Sequence, residues 1–417
     1  MRTTDVVVIG GGQAGLAMSH CLTGRSIDHV VLERGHTANS WRTERWDSLR
    51  LLTPNWLSRL PGWTYRGDDP DGYMTAADVA EHLDGYRTSF DAPVVGGTEV
   101  VEVAATSDGH RVTTNDGEWH ARAVVIATGA ASTPKIPKVA ELLPNHIDQV
   151  TPIDYRNPTQ LSDRDVLVVG ASASGLQLAD EIARSGRRVT LAVGDHVRLP
   201  RTYRGMDIHW WMNVIGQLDE RYDEVDDINR ARRLPSLQLI GTPERRTLDL
   251  NAVAEQGVDL VGRLVGVAAD RAQFSGSLAN YCASADLKEV RLLERIDEHA
   301  RDTGLDDEIE APTRPEPTRV GPPSLGLDLS SLGTVVWATG FRPRYPWLDP
   351  GLLDRKGSLV HDGGVLPVAG MYVLGVPFQR RRKSSFLDGV GDDAIELCDH
   401  LVDHLASSHG RRRTNHR

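Results

Sequence analysis

The apolar and polar positions at the start of the chain predict a strand, a tight turn, a helix and a second strand. Four apolar residues, Val6–Ile9, run directly into a glycine cluster. Small and apolar residues follow at helical spacing, and an apolar segment that ends at Glu33 predicts the second strand. We therefore expect a βαβ unit whose first turn is rich in glycine.

The same order of elements recurs in the middle of the chain. The segment DVLVVGASASGLQLADEIARSGRRVTLAV begins at Asp165 and repeats the glycine and apolar positions of the first unit. Each unit is followed by an apolar strand that ends in the tripeptide ATG, which contains Thr128 and Gly129 in one copy and Thr339 and Gly340 in the other. The duplicated pattern predicts an α/β protein with two Rossmann-like dinucleotide-binding domains.

The composition is that of an ordinary globular protein, and it excludes several functional classes. The 417 residues are 40% hydrophobic and 25% charged, which suits two or three domains with separate cores. The formal net charge of -11 argues against a general nucleic-acid binder, and no apolar run is long enough to cross a membrane. The N-terminus lacks the regions of a signal peptide, and the 3 cysteines are too few for a disulfide framework or a zinc site. We interpret the chain as a reduced, cytoplasmic enzyme without a metal.

The first glycine cluster matches the dinucleotide fingerprint in both spacing and context. Gly10 permits the tight turn, Gly12 lets the backbone approach a pyrophosphate, and Gly15 allows the helix to pack closely on the strand. Glu33 can accept hydrogen bonds from both ribose hydroxyls, which favours FAD or NAD over a 2′-phosphorylated ribose. The neighbouring cofactor-binding candidates are Gln13, Ala14, Arg34, Thr128 and Gly129.

The second glycine cluster is a weaker match to the fingerprint. Ser172 replaces the middle glycine between Gly170 and Gly175, but the surrounding strand and helix still support nucleotide binding. Ala173 and Ser174 stand at the predicted helix start, where backbone amides can face a pyrophosphate. Thr339 and Gly340 complete the candidate site.

The segment after the second unit bears on the choice of nicotinamide nucleotide. Arg198, Arg201 and Arg204 cluster there, and guanidinium groups can hold a 2′-phosphate bidentately. These arginines favour NADPH over NADH, with Arg198 and Arg201 as the binding candidates. Asp195 in the same segment argues for NADH, and the alternative is that these arginines are merely solvated.

These patterns divide the chain into consecutive segments. The predicted segments are a first FAD-binding part at 1–150, a linker at 151–163, an NAD(P)H-binding domain with a helical insertion at 164–332, a second FAD-binding part at 333–410 and a disordered tail at 411–417. The second domain is thus predicted to be inserted in the first. A stretch rich in proline and threonine, 310–323, predicts an exposed connector.

The paired fingerprints, the paired ATG strands and the segment LERGHTANSWRTERWDSLRLLTP together resemble the flavin-containing and Baeyer–Villiger type monooxygenases, especially the bacterial relatives of the plant indole-pyruvate monooxygenases. In that family the glutamate matching Glu33 binds the FAD ribose, and the segment matching 41–54 passes beside the flavin. The resemblance implies that NADPH reduces FAD and that a peroxyflavin then transfers one oxygen atom from O2 to a substrate. It also suggests a small lipophilic substrate and a homodimer.

Several side chains of this segment suit positions beside the flavin. Arg42 and Arg50 can contact FAD phosphates or flavin oxygens, and Trp41 and Trp46 can form walls around the ring, although each could equally be a packing residue. Asn55 lies near the place where the family carries an asparagine that touches the flavin and its oxygen adduct. The resemblance therefore gives Asn55 and Arg50 as catalytic candidates.

The C-terminal stretch from 370 to 401 resembles the family's last strand and a closing helix whose N-terminus faces the flavin. Amides at that helix end stabilise the electron-rich edge of reduced flavin. Asp388, Asp392 and Asp393 are expected to include a helix N-cap, and Asp388 and Asp392 are cofactor-site candidates. The basic run 380–383 is interpreted as a phosphate-facing or solvated loop.

One position departs from the family and keeps an alternative function open. The monooxygenases carry a histidine shortly before an aromatic and a basic residue; here Tyr155 and Arg156 are present, but Thr151 stands in place of the histidine. The alternative is a flavoprotein oxidase or NADPH-dependent reductase without oxygen transfer. A disulfide reductase lacks support because the chain has no CxxC or CxxxxC pair, and a non-catalytic redox sensor is a third reading.

Overall fold

The computed structural model describes the backbone of residues 1–268 and 270–414, and the side chains of these residues as far as 407. The strands are β1 (Arg2–Ile9), β2 (His29–Leu32), β3 (Val94–Val95), β4 (Val100–Thr106), β5 (Gly109–Thr114), β6 (Gly117–Ile126), β7 (Thr133–Pro134), β8 (Asp148–Val150), β9 (Asp165–Val169), β10 (Val189–Ala192), β11 (Val197–Arg198), β12 (Thr202–Tyr203), β13 (Met206–Asp207), β14 (Leu237–Gln238), β15 (Asp259–Val261), β16 (Leu264–Ala268), β17 (Arg271–Phe274), β18 (Gly326–Asp328), β19 (Leu332–Trp337), β20 (Phe341–Arg342) and β21 (Met371–Val373). The α-helices are α1 (Gln13–Gly24), α2 (Asn39–Thr43), α3 (Ala76–Ser89), α4 (Ala173–Arg184), α5 (Ile208–Val214), α6 (Ile228–Ala231), α7 (Leu250–Glu255), α8 (Leu278–Asp302) and α9 (Leu387–Thr414).

The first sheet is built around β1. Its strands follow the order β3-β2-β1-β6-β5-β4, and β21 pairs with the end of β6. β1 is parallel to β2 on one side and to β6 on the other. Alternate side chains of β1 enter two hydrophobic clusters, Val6 and Val8 on one face and Val7 and Ile9 on the other. Both faces of this strand are covered, which explains why its sequence is continuously apolar.

The second sheet repeats this arrangement around β9. Its five strands follow the order β15-β10-β9-β19-β8, and every neighbouring pair is parallel. Val166 and Val168 enter one cluster, whereas Leu167 and Val169 enter another. The α/β fold class is therefore confirmed.

The second sheet corrects two of the expected segment boundaries. The expected boundaries place β8, at 148–150, in the first FAD-binding part and most of β19, at 332–337, in the second. Both strands lie in the second sheet, where β19 stands between β9 and β8. Their partners are remote in sequence, so the local pattern could not show which sheet they join.

After β19 the chain returns to the first sheet. β21 pairs in parallel with the end of β6, in register Val373↔Ile126. α9 packs on α1, and its apolar residues Val390, Leu397 and Leu401 lie in the same cluster as Leu16. α9 continues to Thr414, so a disordered tail is wrong for 411–414, and 415–417 lie outside the described residues.

A small sheet and a long helix pack against the second sheet. β16, β17 and β18 form a small antiparallel sheet, and the 25-residue helix α8 buries one face and exposes the other. The stretch 310–323 contains neither helix nor strand and is mostly exposed, which confirms the predicted connector. Within 1–268 and 270–414, no helix is both long and apolar enough to span a membrane.

We expect Gly175→Ala to destabilise the protein, although alanine is the better helix former. A Cβ atom at Gly175 would lie 1.8 Å from the carbonyl oxygen of Gly170, so backbone must move. Overpacking of this kind costs about 2 kcal/mol, measurable as a lower free energy of unfolding in urea. The matched control is Gly24→Ala, at the end of α1, where a Cβ meets nothing within 4 Å. Equal unfolding midpoints for the two variants would contradict the close approach.

Candidate functional site

The first glycine turn forms an open cradle at the N-terminus of α1. Gly10 has a φ of +112°, and a Cβ there would lie 2.5 Å from the carbonyl oxygen of Ala127. A Cβ at Gly15 would lie 1.8 Å from the carbonyl oxygen of Gly10. In contrast, a Cβ at Gly12 would meet nothing within 4 Å, and α1 starts without a side-chain cap. Two glycines are thus required by packing, whereas Gly12 leaves space in front of free helix amides, as a bound pyrophosphate requires.

Glu33 lies beside this turn at the end of β2. Its carboxylate is buried and accepts hydrogen bonds from the backbone amides of Gly11, at 2.7 Å, and Gly35, at 2.9 Å. A carboxylate has about four acceptor positions, so it retains capacity for ribose hydroxyls. Arg34 is directed elsewhere, because it forms an exposed ion pair with Glu44 at 2.7 Å.

Three strand ends meet at the first turn, and sequence reasoning missed one of them. Thr128 is exposed and Gly129 has a φ of +73°, directly after β6. Gly375 follows β21 with a φ of +84°, and a Cβ there would lie 2.7 Å from the Cβ of Ala14. The signal that could have found Gly375 is its place directly after a buried apolar strand, the same setting as Gly10.

The second glycine turn has the same geometry. Gly170 has a φ of +106°, and a Cβ there would lie 2.3 Å from the carbonyl oxygen of Ala338. Gly175 approaches the carbonyl of Gly170 as Gly15 approaches that of Gly10. Ser172 takes the place of Gly12, and its side chain does not cap α4. Ala173 is buried and Ser174 half-buried in the first turn of α4, so its amides can serve an anion.

The second ATG motif is held by a short strand from the first half of the chain. The hydroxyl of Thr339 donates to the carbonyl of Lys135, whose amide donates to the carbonyl of Gly340 at 2.9 Å. Gly340 has a φ of +87°, and a Cβ there would meet nothing. Both ATG motifs therefore present a glycine in the left-handed region next to a glycine turn.

Arg198 does not suit the predicted contact with a 2′-phosphate. Its side chain is 3% exposed and forms ion pairs with Asp249 at 2.8 Å, Asp286 at 2.9 Å and Glu289 at 3.1 Å. It also donates to the carbonyl of Glu316 at 2.7 Å. A buried charge needs such partners, and together they use the guanidinium. The partners lie on α7, α8 and the connector, which their distance in sequence concealed.

Arg201 is likewise committed within the protein, so this prediction is also corrected. Its side chain is fully buried, pairs with Asp207 at 3.0 Å and donates to Nδ1 of His209 at 2.9 Å. It donates as well to the carbonyls of Leu52, at 2.8 Å, and Ile240, at 3.3 Å. Arg201 therefore joins the segment after Arg50 to the region before α7.

The two tryptophans of the flavin-side segment belong to different cores. Trp41 is half-buried against the first hydrophobic cluster, with the guanidinium of Arg45 lying 5.1 Å from its ring centre. Trp46 is buried in the second cluster with Tyr155, so packing and not a flavin wall is its role here. Arg42 is exposed and donates to the carbonyl of Thr37 at 3.2 Å.

The two catalytic candidates both hold the segment 69–74. Asn55 is buried; its Nδ2 donates to the carbonyl of Asp69 at 2.9 Å, and its Oδ1 accepts from the amide of Met74 at 2.8 Å. Arg50 donates to the carbonyl of Tyr73 at 2.8 Å. Both ends of the Asn55 amide are thus engaged in positioning contacts, and the catalytic role of Asn55 and Arg50 stays a prediction.

The linker contains Thr151 in a turn. Its hydroxyl donates to Asp154 at 2.6 Å, and its carbonyl accepts from the amides of Asp154 and Tyr155. Arg156 donates to the carbonyls of Thr43 and Arg45, and its own carbonyl accepts from the amide of Asp47 at 2.8 Å. The linker therefore binds the segment that joins the two tryptophans.

The acidic and basic residues at the start of α9 form ion pairs with one another. Asp388 lies inside the first turn, not at the N-cap, and pairs with Arg59 and, at 3.0 Å, with Lys383. Asp392 is exposed and lies 3.6 Å from Lys383. The basic run 380–383 is paired with carboxylates throughout, so neither a phosphate-facing nor a solvated loop describes it.

The similarity to known proteins extends over nearly the whole chain. Residues 7–212 match the family model of the pyridine nucleotide-disulphide oxidoreductases. An uncharacterized CzcO-like oxidoreductase of Geobacillus kaustophilus is 32% identical over 404 residues, 96% of this chain and 99% of the relative. The indole-3-pyruvate monooxygenase YUCCA6 of Arabidopsis thaliana is 32% identical over 216 residues, 48% of this chain and 51% of its own. A flavin-containing monooxygenase from Stenotrophomonas maltophilia shares the fold, with a TM-score of 0.68 at 21% identity over 97% of this chain and 99% of that one.

The cysteines do not supply the thiol chemistry that the name of the family model suggests. Cys21, Cys282 and Cys398 are buried and free. Burial raises the pKa of Cys21 to about 12 and the pKa values of Cys282 and Cys398 to about 11. Thiols of this kind are not nucleophilic near neutral pH, and the structure gives no support to disulfide reduction.

We expect Glu289 to make a contribution to stability that falls as the pH rises from about 5 to 7. Burial raises the pKa of Glu289 to about 7, against the opposing effect of Arg198. The folded protein therefore holds a proton that the unfolded chain has already released, which contributes a slope of at most about 1.4 kcal/mol per pH unit. Urea unfolding at several pH values should show that the free energy of unfolding falls less steeply, or rises more steeply, with pH in Glu289→Gln than in the unchanged protein. The control is Glu294→Gln, an exposed glutamate of the same helix; the same slope in both variants would contradict the assignment.

Proposed function

The chain belongs to the CzcO-like oxidoreductase family, and on this premise we propose that it is an FAD-dependent monooxygenase, reduced by a nicotinamide nucleotide, that adds one atom of O2 to a small organic substrate. The observation that carries the proposal is the pair of glycine turns with equal geometry, each at the carboxyl ends of parallel strands. We assign FAD to the first turn and the nicotinamide nucleotide to the second, as two Rossmann-like domains. A homodimer and a cytoplasmic location are part of the proposal.

The first turn is suited to FAD by its carboxylate and its free amides. Glu33 would accept the hydroxyls of the adenosine ribose, while Gly12 leaves room for the pyrophosphate at the N-terminus of α1. Gly375 brings the end of β21 against Ala14, and the start of α9 follows closely in the chain. Amides at the N-termini of α1 and α9 would thus stabilise negative charge on the phosphates and on reduced flavin.

The chain segments between the two turns are suited to orienting the two nucleotides towards each other. The first segment, 41–55, is bound by Arg156 of the linker and contributes Trp46 to the second core. A Cβ at Gly241 would lie 2.3 Å from the carbonyl oxygen of Leu51, so the second unit lies directly against this segment. Tight packing here would exclude water from the reacting groups, which limits loss of the oxidant.

When bound, the flavin accepts a hydride from the reduced nicotinamide and activates O2. The overall reaction consumes NAD(P)H, one proton, O2 and the substrate, and it gives NAD(P)+, water and the substrate with one added oxygen atom. The residues of this chain bind, orient and shield the reactants, and no side-chain nucleophile is needed. Because Asn55 and Arg50 position the segment 69–74, their contribution would be to hold the wall of the site in place.

The second candidate is an oxidase or reductase that does not transfer oxygen, and Thr151 favours it. The hydroxyl of Thr151 is bound by Asp154 and cannot act as the imidazole of a histidine would. The two candidates differ in what happens after the flavin is reduced. In the first, O2 is held until a substrate reacts; in the second, it leaves as hydrogen peroxide.

A two-step rapid-mixing experiment tests the proposal. The purified holoprotein is reduced anaerobically with a nicotinamide nucleotide, mixed with oxygenated buffer and followed across the flavin spectrum. We expect a transient absorbing species that precedes the oxidised flavin. Immediate return of oxidised flavin with stoichiometric peroxide would replace the monooxygenase by the oxidase. Absence of flavin reduction by either NADH or NADPH would overturn both.

We expect Gly12→Ala to lower FAD affinity at least about tenfold, a loss of about 1.4 kcal/mol, without destabilising the apoprotein. Its backbone, at φ -88° and ψ -171°, accepts alanine, and the added Cβ meets no protein atom within 4 Å. FAD content follows from flavin absorbance, and apoprotein stability from urea unfolding. Gly24→Ala, at the other end of the same helix, is the control and should retain FAD. Normal FAD binding in Gly12→Ala would show that the pyrophosphate does not occupy this space.

A further inference from the structure

The residue at the end of β10 does not provide the carboxylate that Glu33 provides at the end of β2. The ends of the two strands have matching backbone hydrogen bonds. The amide of Gly10 donates to the carbonyl of Leu32 at 2.8 Å, and the amide of Gly170 donates to the carbonyl of Ala192 at 2.9 Å. The residue after Leu32 is Glu33, and the residue after Ala192 is Val193. The amide of each donates to a carbonyl of the neighbouring strand, at 3.0 Å for Glu33 and 2.9 Å for Val193. Val193 thus occupies the position of Glu33, and it is fully buried and apolar. Polar contacts to a ribose must come from the residues that follow.

Those residues present a carboxylate and open space. A Cβ at Gly194 would meet nothing within 4 Å, so the backbone there is accessible. The side chain of Asp195 is 60% exposed and lies 3.4 Å from Nζ of Lys288. Because ligands of parallel sheets bind at the carboxyl ends of the strands, Asp195 stands where an adenosine ribose would lie.

The three arginines that follow β10 are unavailable for a 2′-phosphate. Arg198, Arg201 and Arg204 have side chains at most 3% exposed, and each is paired with carboxylates. Moving Arg198 towards a ligand would leave Asp249, Asp286 and Glu289 without their buried counter-charge.

His196 adds no positive charge. Its ring is buried, and burial lowers its pKa, so the imidazole is neutral near pH 7. Its Nδ1 donates to the carbonyl of Gly194 at 2.9 Å, which holds the turn that carries Asp195. Lys288 is accessible but shares its charge with Asp195. The exposed pair of Asp195 and Lys288 therefore carries no net positive charge, whereas a phosphate site needs a surplus.

We propose that the second glycine turn is selective for NADH and that Asp195 is its specificity-determining residue. The Asp195 carboxylate accepts the 2′- and 3′-hydroxyls of the adenosine ribose and repels the dianionic 2′-phosphate of NADPH. This inference rests on the proposed function, because it assumes that the second turn binds the nicotinamide nucleotide. It replaces the preference for NADPH that the arginine cluster predicts from sequence.

The test compares the two nucleotides by binding and by flavin reduction in the holoprotein. Dissociation constants of NAD+ and NADP+ are measured by calorimetry, and anaerobic flavin reduction by NADH and NADPH is followed by rapid mixing. We expect NADH to be favoured at least about tenfold in both measurements. Preferred binding and faster reduction with NADPH would overturn the inference and leave the proposed function intact. Reduction by neither nucleotide would overturn the proposed function, while the dissociation constants would still report the selectivity.

The variant Asp195→Asn separates charge from shape. Removal of the carboxylate should tighten NADP+ binding about threefold to tenfold and weaken NAD+ binding by a similar factor. Asp302→Asn, an exposed aspartate at the end of α8, removes the same charge elsewhere and should change neither constant. Equal changes of the NADP+ dissociation constant in the two variants would show that only the net charge of the protein matters, and would contradict the role of Asp195.

Lys288 provides the opposite control. If Lys288 were a phosphate ligand, Lys288→Gln would weaken NADP+ binding selectively. On our proposal Lys288→Gln also weakens NADP+ binding, because it releases Asp195 from its ion pair and leaves the carboxylate free to repel the phosphate. Both explanations predict a loss for the single variant, so the double variant distinguishes them. Binding of NADP+ by Asp195→Asn/Lys288→Gln should equal that of Asp195→Asn alone; a further loss would assign the phosphate to Lys288 and overturn the selectivity proposed here.

Discussion

The contact between the third glycine of each turn and the carbonyl of the first is the constraint on which both units depend. In each unit a Cβ on the helix would lie 1.8 Å from that carbonyl oxygen, so the helix touches the end of the strand through backbone atoms alone. The residue that follows the next parallel strand, β6 in one unit and β19 in the other, also approaches the first glycine through its carbonyl oxygen, and the distance from a Cβ on that glycine is similar in both units. This contact directs the free amides of α1 and α4 to the open edge of their sheets. Nucleotide binding therefore follows from how closely the backbone packs, and not from any one polar side chain.

The parts of the structure that could be predicted from sequence are those that local residues determine. The strand, turn and helix at Gly10 and Gly170 follow from glycine spacing and apolar periodicity within about thirty residues. The sheet that contains β19 could not be found in this way, because its neighbours β8 and β9 lie far away in the chain. Trp46 was misjudged for the same reason: its partner Tyr155 belongs to the linker.

The arginines show how a correct chemical argument can lead to a wrong site. A cluster of guanidinium groups after a βαβ unit suits a phosphate, and nothing near Arg198 in sequence offers a competing carboxylate beyond Asp195. The groups that pair with Arg198 come from the N-cap of α7 and from α8, and their burial makes them stronger partners than a solvated ligand. Long insertions between strands are thus a source of counter-charges that a motif search does not include.

The two tryptophans have a consequence for how far the two units can separate. Trp41 packs on the core of the first unit and Trp46 lies within the core of the second. Five residues of fully extended chain span at most about 17 Å. While Trp41 stays packed on the first core and Trp46 stays in the second, the length of this stretch limits how far the two units can move apart. A rotation of the second unit about this stretch would keep both contacts, whereas a wide separation of the two units would break one of them.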